Sequence, residues 1–282
     1  MKRILVATDL SPCSTNALAR AIRLAGEHGA AIRIVHAAVG SEAPEGYSSS
    51  HRRILTEAQI MVEELTGQAV DISVCISSAS PADAILHEAD VADAELVVLG
   101  AHGEPRFRDA LFGTTGTHVV RHSDRPVLIV QNDASEPYAK VLIAVDDARF
   151  ARPILDATLK VAPASELFAV HAFYPSLRQS ISGPDALHDE EKRQEAELER
   201  LLAEATAGRP PSRLTANKHA VVETGEALKA IMLETEEIVP DLLAMGTRPR
   251  ATYLGSHAVD TLFWCPADVL VVPERATVEM SA

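Results

Sequence analysis

The residues RILVATD at 3–9 return as KVLIAVD at 140–146, and three further apolar segments return after them in the same order. IRIVHA at 32–37 is matched by LFAVHA at 167–172, LVVLG at 96–100 by LLAMG at 242–246, and VLIV at 127–130 by VLVV at 269–272. One such match between Val-rich segments is within the reach of chance; four in order mark a duplication. In a chain of 282 residues each copy is then a domain of ordinary size. The predicted boundaries are 1–132 and 138–282, with the turn-rich NDASEP at 132–137 as a short linker.

Within each copy, short apolar runs alternate with stretches of helical periodicity. In the first, strands are expected at 4–8, 32–38, 70–76, 96–100 and 127–130, and helices at 12–28, 51–66 and 114–121. A further helix is expected to open at Pro81, with Ser80 as its cap. The second copy repeats the plan. Its long helix near 185–206 aligns Leu187, Leu198, Leu201, Leu202 and Ala205 in a stripe, and the charge run at 189–193 reads as a solvated face. The fold class expected is α/β, two tandem doubly wound domains each built on a five-stranded parallel sheet. Aromatics make up only 4% of a chain that is 47% hydrophobic, so Ala, Val, Leu and Ile must fill the core, as they do where helices cover a parallel sheet on both faces.

A formal charge of −14 argues against non-specific binding to nucleic acid or to an anionic membrane. It leaves room for an anionic small ligand, because screening over about 8 Å isolates a local site from distant charge. Cys13, Cys75 and Cys265 show no paired spacing and read as reduced, structural thiols. With no apolar run of membrane-spanning length and no secretory leader, the expected location is the cytoplasm.

Ligands of doubly wound sheets bind beyond the carboxyl ends of the strands, where the winding direction switches. That makes Asp9, His36, Ala37 and Gly100 candidates. The most informative stretch runs Gly100-Ala-His102-Gly103, nine residues, then Gly113-Thr114 at the start of a helix. Two readings stand side by side. The glycines let a phosphate approach the main chain, with the helix N-terminus and the Thr114 hydroxyl receiving the anion; or they make turns and Thr114 caps the helix. No Gly-Lys pair occurs, which excludes a P-loop, and no two glycines are separated by one residue, which removes the dinucleotide fingerprint.

The whole pattern, Gly-x2-Gly-x9-Gly-Thr, resembles the nucleotide-binding motif of the universal stress protein family. ILVATDLS at the first strand, IVHA at the second, SPADAI before the third expected helix and SDRPVLIV at the end extend the likeness over residues 1–131. The resemblance implies an adenine-nucleotide α-hydrolase-like sheet in each of two tandem domains, the first of the ATP-binding type. It assigns the adenine side to Ala7, Thr8 and Asp9 and the adjoining wall to Ala37. Ribose and phosphates fall to Gly100, His102, Gly103, Gly113, Thr114 and Thr115, and the ligand is ATP, with Mg2+ as its companion ion. It also implies a homodimer and an unidentified protein partner.

The second copy departs from the motif. Gly246 is kept, but Pro249, without an N–H, takes the position of Gly103, and the loop to Gly255-Ser256 is shorter. A vacant or altered second site is expected there, with Asp146, Gly246, Gly255 and Ser256 as its residues. Asp9 serves either a ligand or the following helix as a cap, and Asp146 shares the choice. His36, His171, His102 and His257 fall near the domain mouths, but their spacing forms no metal-binding pattern, and no metal site is expected of them. Arg106 and Arg108 lie in the nine-residue loop, within reach of outer phosphates or simply solvated. No nucleophile elbow occurs and no catalytic residue is assigned. The expectation is a nucleotide-binding protein of stress response or signalling that acts through nucleotide-dependent interactions, against slow ATP hydrolysis at the first site or a scaffold that binds no nucleotide.

Overall fold

The computed structural model of the chain describes residues 1–38, 44–101, 114–134, 136–145, 148–173, 184–207, 219–224, 227–247 and 265–273. The chain divides into two compact units, Met1–Pro137 and Tyr138–Ala282. Unit 1 runs β1 (Arg3–Ala7), α1 (Pro12–His28), β2 (Ala31–Ala37), α2 (Pro44–Leu65), β3 (Ile72–Ser77), α3 (Pro81–Val91), β4 (Leu96–Gly100), α4 (Thr114–His122) and β5 (Val127–Val130). Unit 2 runs β6 (Lys140–Val145), α5 (Ala148–Val161), β7 (Glu166–Phe173), α6 (Pro184–Thr206), β8 (His219–Thr224), α7 (Ala227–Ile238), β9 (Leu242–Thr247) and β10 (Asp268–Pro273).

All pairings within each unit are parallel, in the order β3-β2-β1-β4-β5 in unit 1 and β8-β7-β6-β9-β10 in unit 2. From β1 the chain of unit 1 winds outward through β2 to β3, then returns to β4 and winds the other way. Right-handed crossovers therefore send α1 and α2 to one face and α3 and α4 to the other. The packing agrees, with α1 against α2 and α3 against α4. Ile4, Leu5 and Val6, successive residues of β1, are all fully buried, which requires cover on both faces.

Local chemistry fixes the helix ends. Ser11 caps α1 by accepting from the Ser14 N–H, Pro12 follows it, and Gly29 ends the helix in the left-handed conformation at φ 62°. Ser80 caps α3 in the same way through Asp83 N–H, ahead of Pro81. The helix expected at 51–66 opens earlier, at Pro44. Its first turns, rich in Ser and His, carry little apolar periodicity. The third strand sits at Ile72–Ser77 instead of 70–76, its register set by Ile32 opposite Ile72.

The segment read as a linker is tied down. Arg20 Nη1 donates to Glu136 O at 2.8 Å and Nη2 to Asp133 O at 3.1 Å, while Arg23 Nε donates to Ala134 O at 2.8 Å. Arg20 is only 4% exposed, so its guanidinium spends its donors on backbone carbonyls, a role residue type alone does not announce. The same guanidinium groups partly offset burial of Glu27, whose carboxyl is nevertheless raised above its ordinary value. In α6, Asp189, Lys192 and Arg193 are exposed, as a solvated face requires. Among the described residues no helix is long and apolar enough to cross a membrane.

Candidate functional site

The winding of unit 1 reverses between β1 and β4, and a cavity of about 300 Å³ lies at the carboxyl ends of these strands. Its apolar wall is built by Val35 and Ala37 from β2, Leu99 from β4 and Ile85 from α3; its polar side by Thr8, Asp9, Ser11 and Ser14. Ala7, Gly100, Pro81, Thr115 and Gly116 complete it. Of the candidate residues, the structure thus brings together Ala7, Thr8, Asp9, Ala37, Gly100 and Thr115. Thr114 stands exposed as the first residue of α4 and is not part of the wall. His102, Gly103, Gly113, Arg106 and Arg108 lie outside the described residues, as do Asp146, Pro249, Gly255, Ser256 and His257 of the second copy.

A chain of hydroxyls shapes the polar side. Ser14 Oγ donates to Ser11 O at 2.9 Å, which uses its one proton. The 3.0 Å contact between Thr8 Oγ1 and Ser14 Oγ is therefore donated by Thr8. Thr8 Oγ1 in turn accepts from the Leu10 N–H at 3.0 Å. The Thr8 N–H donates to Val35 O at 2.9 Å, and Thr8 O accepts from His36 Nδ1 at 2.8 Å. Every polar group of Thr8 is thus engaged within the protein, so Thr8 holds the loop that follows it and is poorly placed to donate to a ligand.

That loop is bent hard. Leu10 has φ 65°, a left-handed conformation that costs a non-glycine residue about 1–3 kcal/mol. The Leu10 bond to Thr8 and a 3.0 Å bond from the Ser11 N–H to Asp9 Oδ1 brace it from both sides. Asp9 therefore turns the chain towards the cap of α1 while its carboxylate stays exposed at the cavity rim.

Gly100 meets a packing demand of its own. It is not in a left-handed conformation. A Cβ placed on it would lie 2.5 Å from Cys13 O and 2.9 Å from Ser14 N, both backbone atoms of the first turn of α1. Its missing side chain lets α1 close onto the end of β4. Gly246 in unit 2 is less confined, since a Cβ there meets the end of the Ile154 side chain at 3.1 Å.

The histidines at the strand ends are structural. His171 Nδ1 lies 2.7 Å from Val145 O, the counterpart of the bond from His36 to Thr8 O, so both copies use this residue to tie the second strand to the first. Among the described residues no three His, Cys, Asp or Glu side chains converge as a metal site. The three cysteines are free thiols. Burial pushes Cys265 up to about 11, and burial together with the neighbouring Glu88 raises Cys75.

Residues the sequence reading missed on the cavity wall are Ser11, Ser14, Val35, Pro81, Ile85, Leu99 and Gly116. Val35, Leu99 and Gly116 flank recognised positions by one or two residues, whereas Pro81 and Ile85 reach the wall from α3, far in sequence from any of them. Ser11, and not Asp9, is the cap residue of α1, and no local pattern announces the hydroxyl chain through Ser14.

Known proteins fit this architecture. The sequence matches the family model of the universal stress proteins over residues 1–131 and again over 137–273. It is 27% identical over 168 residues to a universal stress protein of Mycobacterium tuberculosis, covering 51% of this chain and 53% of that one, so the match spans about half the length of the mycobacterial relative. It is 27% identical over 164 residues to the stress response protein NhaX of Bacillus subtilis, covering 46% of this chain and 97% of that protein. A universal stress protein from Archaeoglobus fulgidus superposes with a TM-score of 0.70 at 21% identity, covering 96% of this chain and 98% of that one. With both copies matched and the sheet order repeated in each unit, the chain belongs to the universal stress protein family, as a tandem of two such domains.

Proposed function

We propose that unit 1 binds an adenine nucleotide, ATP foremost, and that occupancy biases association with a protein partner or a second copy of the chain without dedicated catalysis. The observation that carries this reading is the cavity at the switch point of the sheet, apolar on the side of Val35, Ala37, Ile85 and Leu99 and open towards the first turn of α4. At about 300 Å³ it stands at the lower end of small-molecule pockets, roughly 300–1,000 Å³. That size suits a base and part of a sugar, leaving phosphates to extend beyond it. Thr115 and Gly116 bring the N-terminal turn of α4 to the cavity edge, where unpaired N–H groups and the helix dipole favour an anion. Mg2+ would arrive with the nucleotide, held by phosphate oxygens and water.

The test is calorimetric titration of nucleotide-stripped full-length protein with Mg-ATP, AMP and cyclic AMP in parallel. One site per chain is expected with Mg-ATP, together with phosphate release at background. Ala37→Phe, which fills the apolar wall, is expected to weaken binding at least tenfold while leaving the fold intact by circular dichroism. Two sites per chain would show that unit 2 binds as well. An absence of binding by any of the three would overturn the reading and leave the tandem as an interaction scaffold.

A further inference from the structure

The cavity makes no use of the last turn of α4. His118 and His122 stand there four residues apart, both exposed, while Val119 and Val120 between them are buried at 0% and 3% exposure and pin the helix to the core of unit 1. Spacing of four puts the two imidazoles on one helical face. The rings lie nearly parallel, with centroids 4.1 Å apart and 23° between their planes. His122 Nδ1 is 2.8 Å from the His118 carbonyl oxygen. A carbonyl oxygen only accepts, so this nitrogen carries the proton, and in the neutral ring the lone pair is left on Nε2. An acceptor behind one ring nitrogen is how proteins orient a histidine and fix its tautomer for metal ligation through the other.

We propose that His118 and His122 form a two-nitrogen chelate for a divalent transition ion of the Zn2+, Ni2+ or Cu2+ kind at the C-terminal turn of α4. Imidazole is a preferred ligand for these three ions. Two nitrogens bound tetrahedrally to one Zn2+ lie about 3.4 Å apart, given Zn–N distances of about 2.0–2.1 Å. The stack shows the rings within chelating range at 4.1 Å between centroids; to bind one ion the exposed His118 side chain must rotate out of the stack so that its ring plane and that of His122 converge on the metal. The carboxyl end of a helix carries partial negative charge, and the chain as a whole is at −14, so both the local and the global field favour a cation. The helix end is also well held: the Ser123 N–H donates to Val119 O at 2.8 Å, and Ser123 Oγ donates to Arg125 O at 2.8 Å. Arg125 is engaged by Asp90, at 2.6 Å. Arg121, three residues beyond His118, adds a repulsive charge, and with water completing the coordination the affinity expected is micromolar. The four histidines weighed near the domain mouths do not include this pair, and the site does not depend on the nucleotide reading.

The experiment is titration of full-length, EDTA-treated and dialysed protein with NiCl2 by calorimetry, alongside His118→Gln, His122→Gln and the double variant. One site per chain is expected, weakened at least about tenfold by either substitution. Both side chains are exposed, so the thermal midpoint of the apo-protein should not move. Ni2+ should also broaden backbone amide resonances of residues 114–125 before any others. Indistinguishable titrations of the natural protein and the double variant would overturn the proposal, as would broadening confined to other histidines.

Discussion

Gly100 and Gly246 occupy the same place in the two copies, and adding one methyl group to each should have unequal consequences. In unit 1 the new Cβ would stand 2.5 Å from Cys13 O and 2.7 Å from Cys13 C. Carbon–oxygen contacts ordinarily settle at about 3.3–3.6 Å, so the end of β4 and the first turn of α1 must part by nearly an ångström. Neither side yields easily. The turn is capped by Ser11 and tied through Ser14 to Thr8, and β4 is hydrogen-bonded to β1 and β5. Overpacking of this kind costs about 1–3 kcal/mol, offset in part by the roughly 0.5–1 kcal/mol that Ala gains over Gly within a strand. For Gly100→Ala we expect a net loss of about 1–2 kcal/mol, which is a factor of roughly 5–30 in the opening equilibrium. For Gly246→Ala the nearest atom, Ile154 Cδ1 at 3.1 Å, is the tip of a flexible side chain, and the net change should stay within about 1 kcal/mol. Hydrogen exchange read by mass spectrometry resolves the two units without assuming that they unfold together. Peptides from β1 and β4 in Gly100→Ala should exchange some 5–30 times faster, and peptides from β6 and β9 in Gly246→Ala should change little. Equal acceleration in the two variants would refute the argument that contact with the α1 backbone is what demands glycine at position 100.

Val239 is 69% exposed with φ 50°, a left-handed conformation that a β-branched residue adopts only under strain; its counterpart in unit 1 is Asp93 at φ 45°. Val239→Asp or Val239→Gly should therefore raise the stability of unit 2 by about 1 kcal/mol, seen as a higher urea midpoint, and an unchanged or lower midpoint would count against that strain. Cys265 has its thiol raised from 9.0 to about 11 by burial. Its contribution to stability is fully present below pH 9 and is lost as pH rises to about 11, because the unfolded chain ionises first. The loss is on the order of 3 kcal/mol over that interval; Cys265→Ala should flatten that alkaline limb of the stability curve, and an unchanged slope would exclude the thiol as its cause.

The fold was legible because the features that set it are periodic or punctuating. Uninterrupted apolar runs such as 4–6 and 96–99 announce strands covered on both faces, and Ser-Pro pairs at 11–12 and 80–81 announce helix starts. Where reading failed, tertiary contacts decided. The early turns of α2 lack an apolar stripe, and the extent of β3 follows its register with β2 more than its own residues. The segment at 132–137 has the composition of a loose connection, yet Arg20 and Arg23 hold its carbonyls from a helix more than a hundred residues earlier. No local pattern carries that information.

The site divides along the same line. Topology alone places Ala7, Asp9, Ala37 and Gly100 around one cavity, because each follows or ends a strand at the switch point. What the residue types do there needed geometry: Thr8 turns inward to the protein, and Gly100 makes room for a helix. That geometry also adds a second difference between the two copies. The sequence reading put one in the loop containing Pro249. An earlier difference is visible in the first strand and helix, where Thr8 and Ser14 have Val145 and Ala151 as counterparts, buried at 5% and 0% exposure. Unit 2 thus keeps the histidine-to-carbonyl tie that belongs to the fold, through His171, and lacks the two hydroxyls that brace the Asp9–Ser11 turn in unit 1. Replacing Val145 and Ala151 by Thr and Ser supplies those hydroxyls without touching the glycine loop. Restoring the glycine loop alone would leave unit 2 without them, so any ligand binding that depends on those hydroxyls requires both changes together.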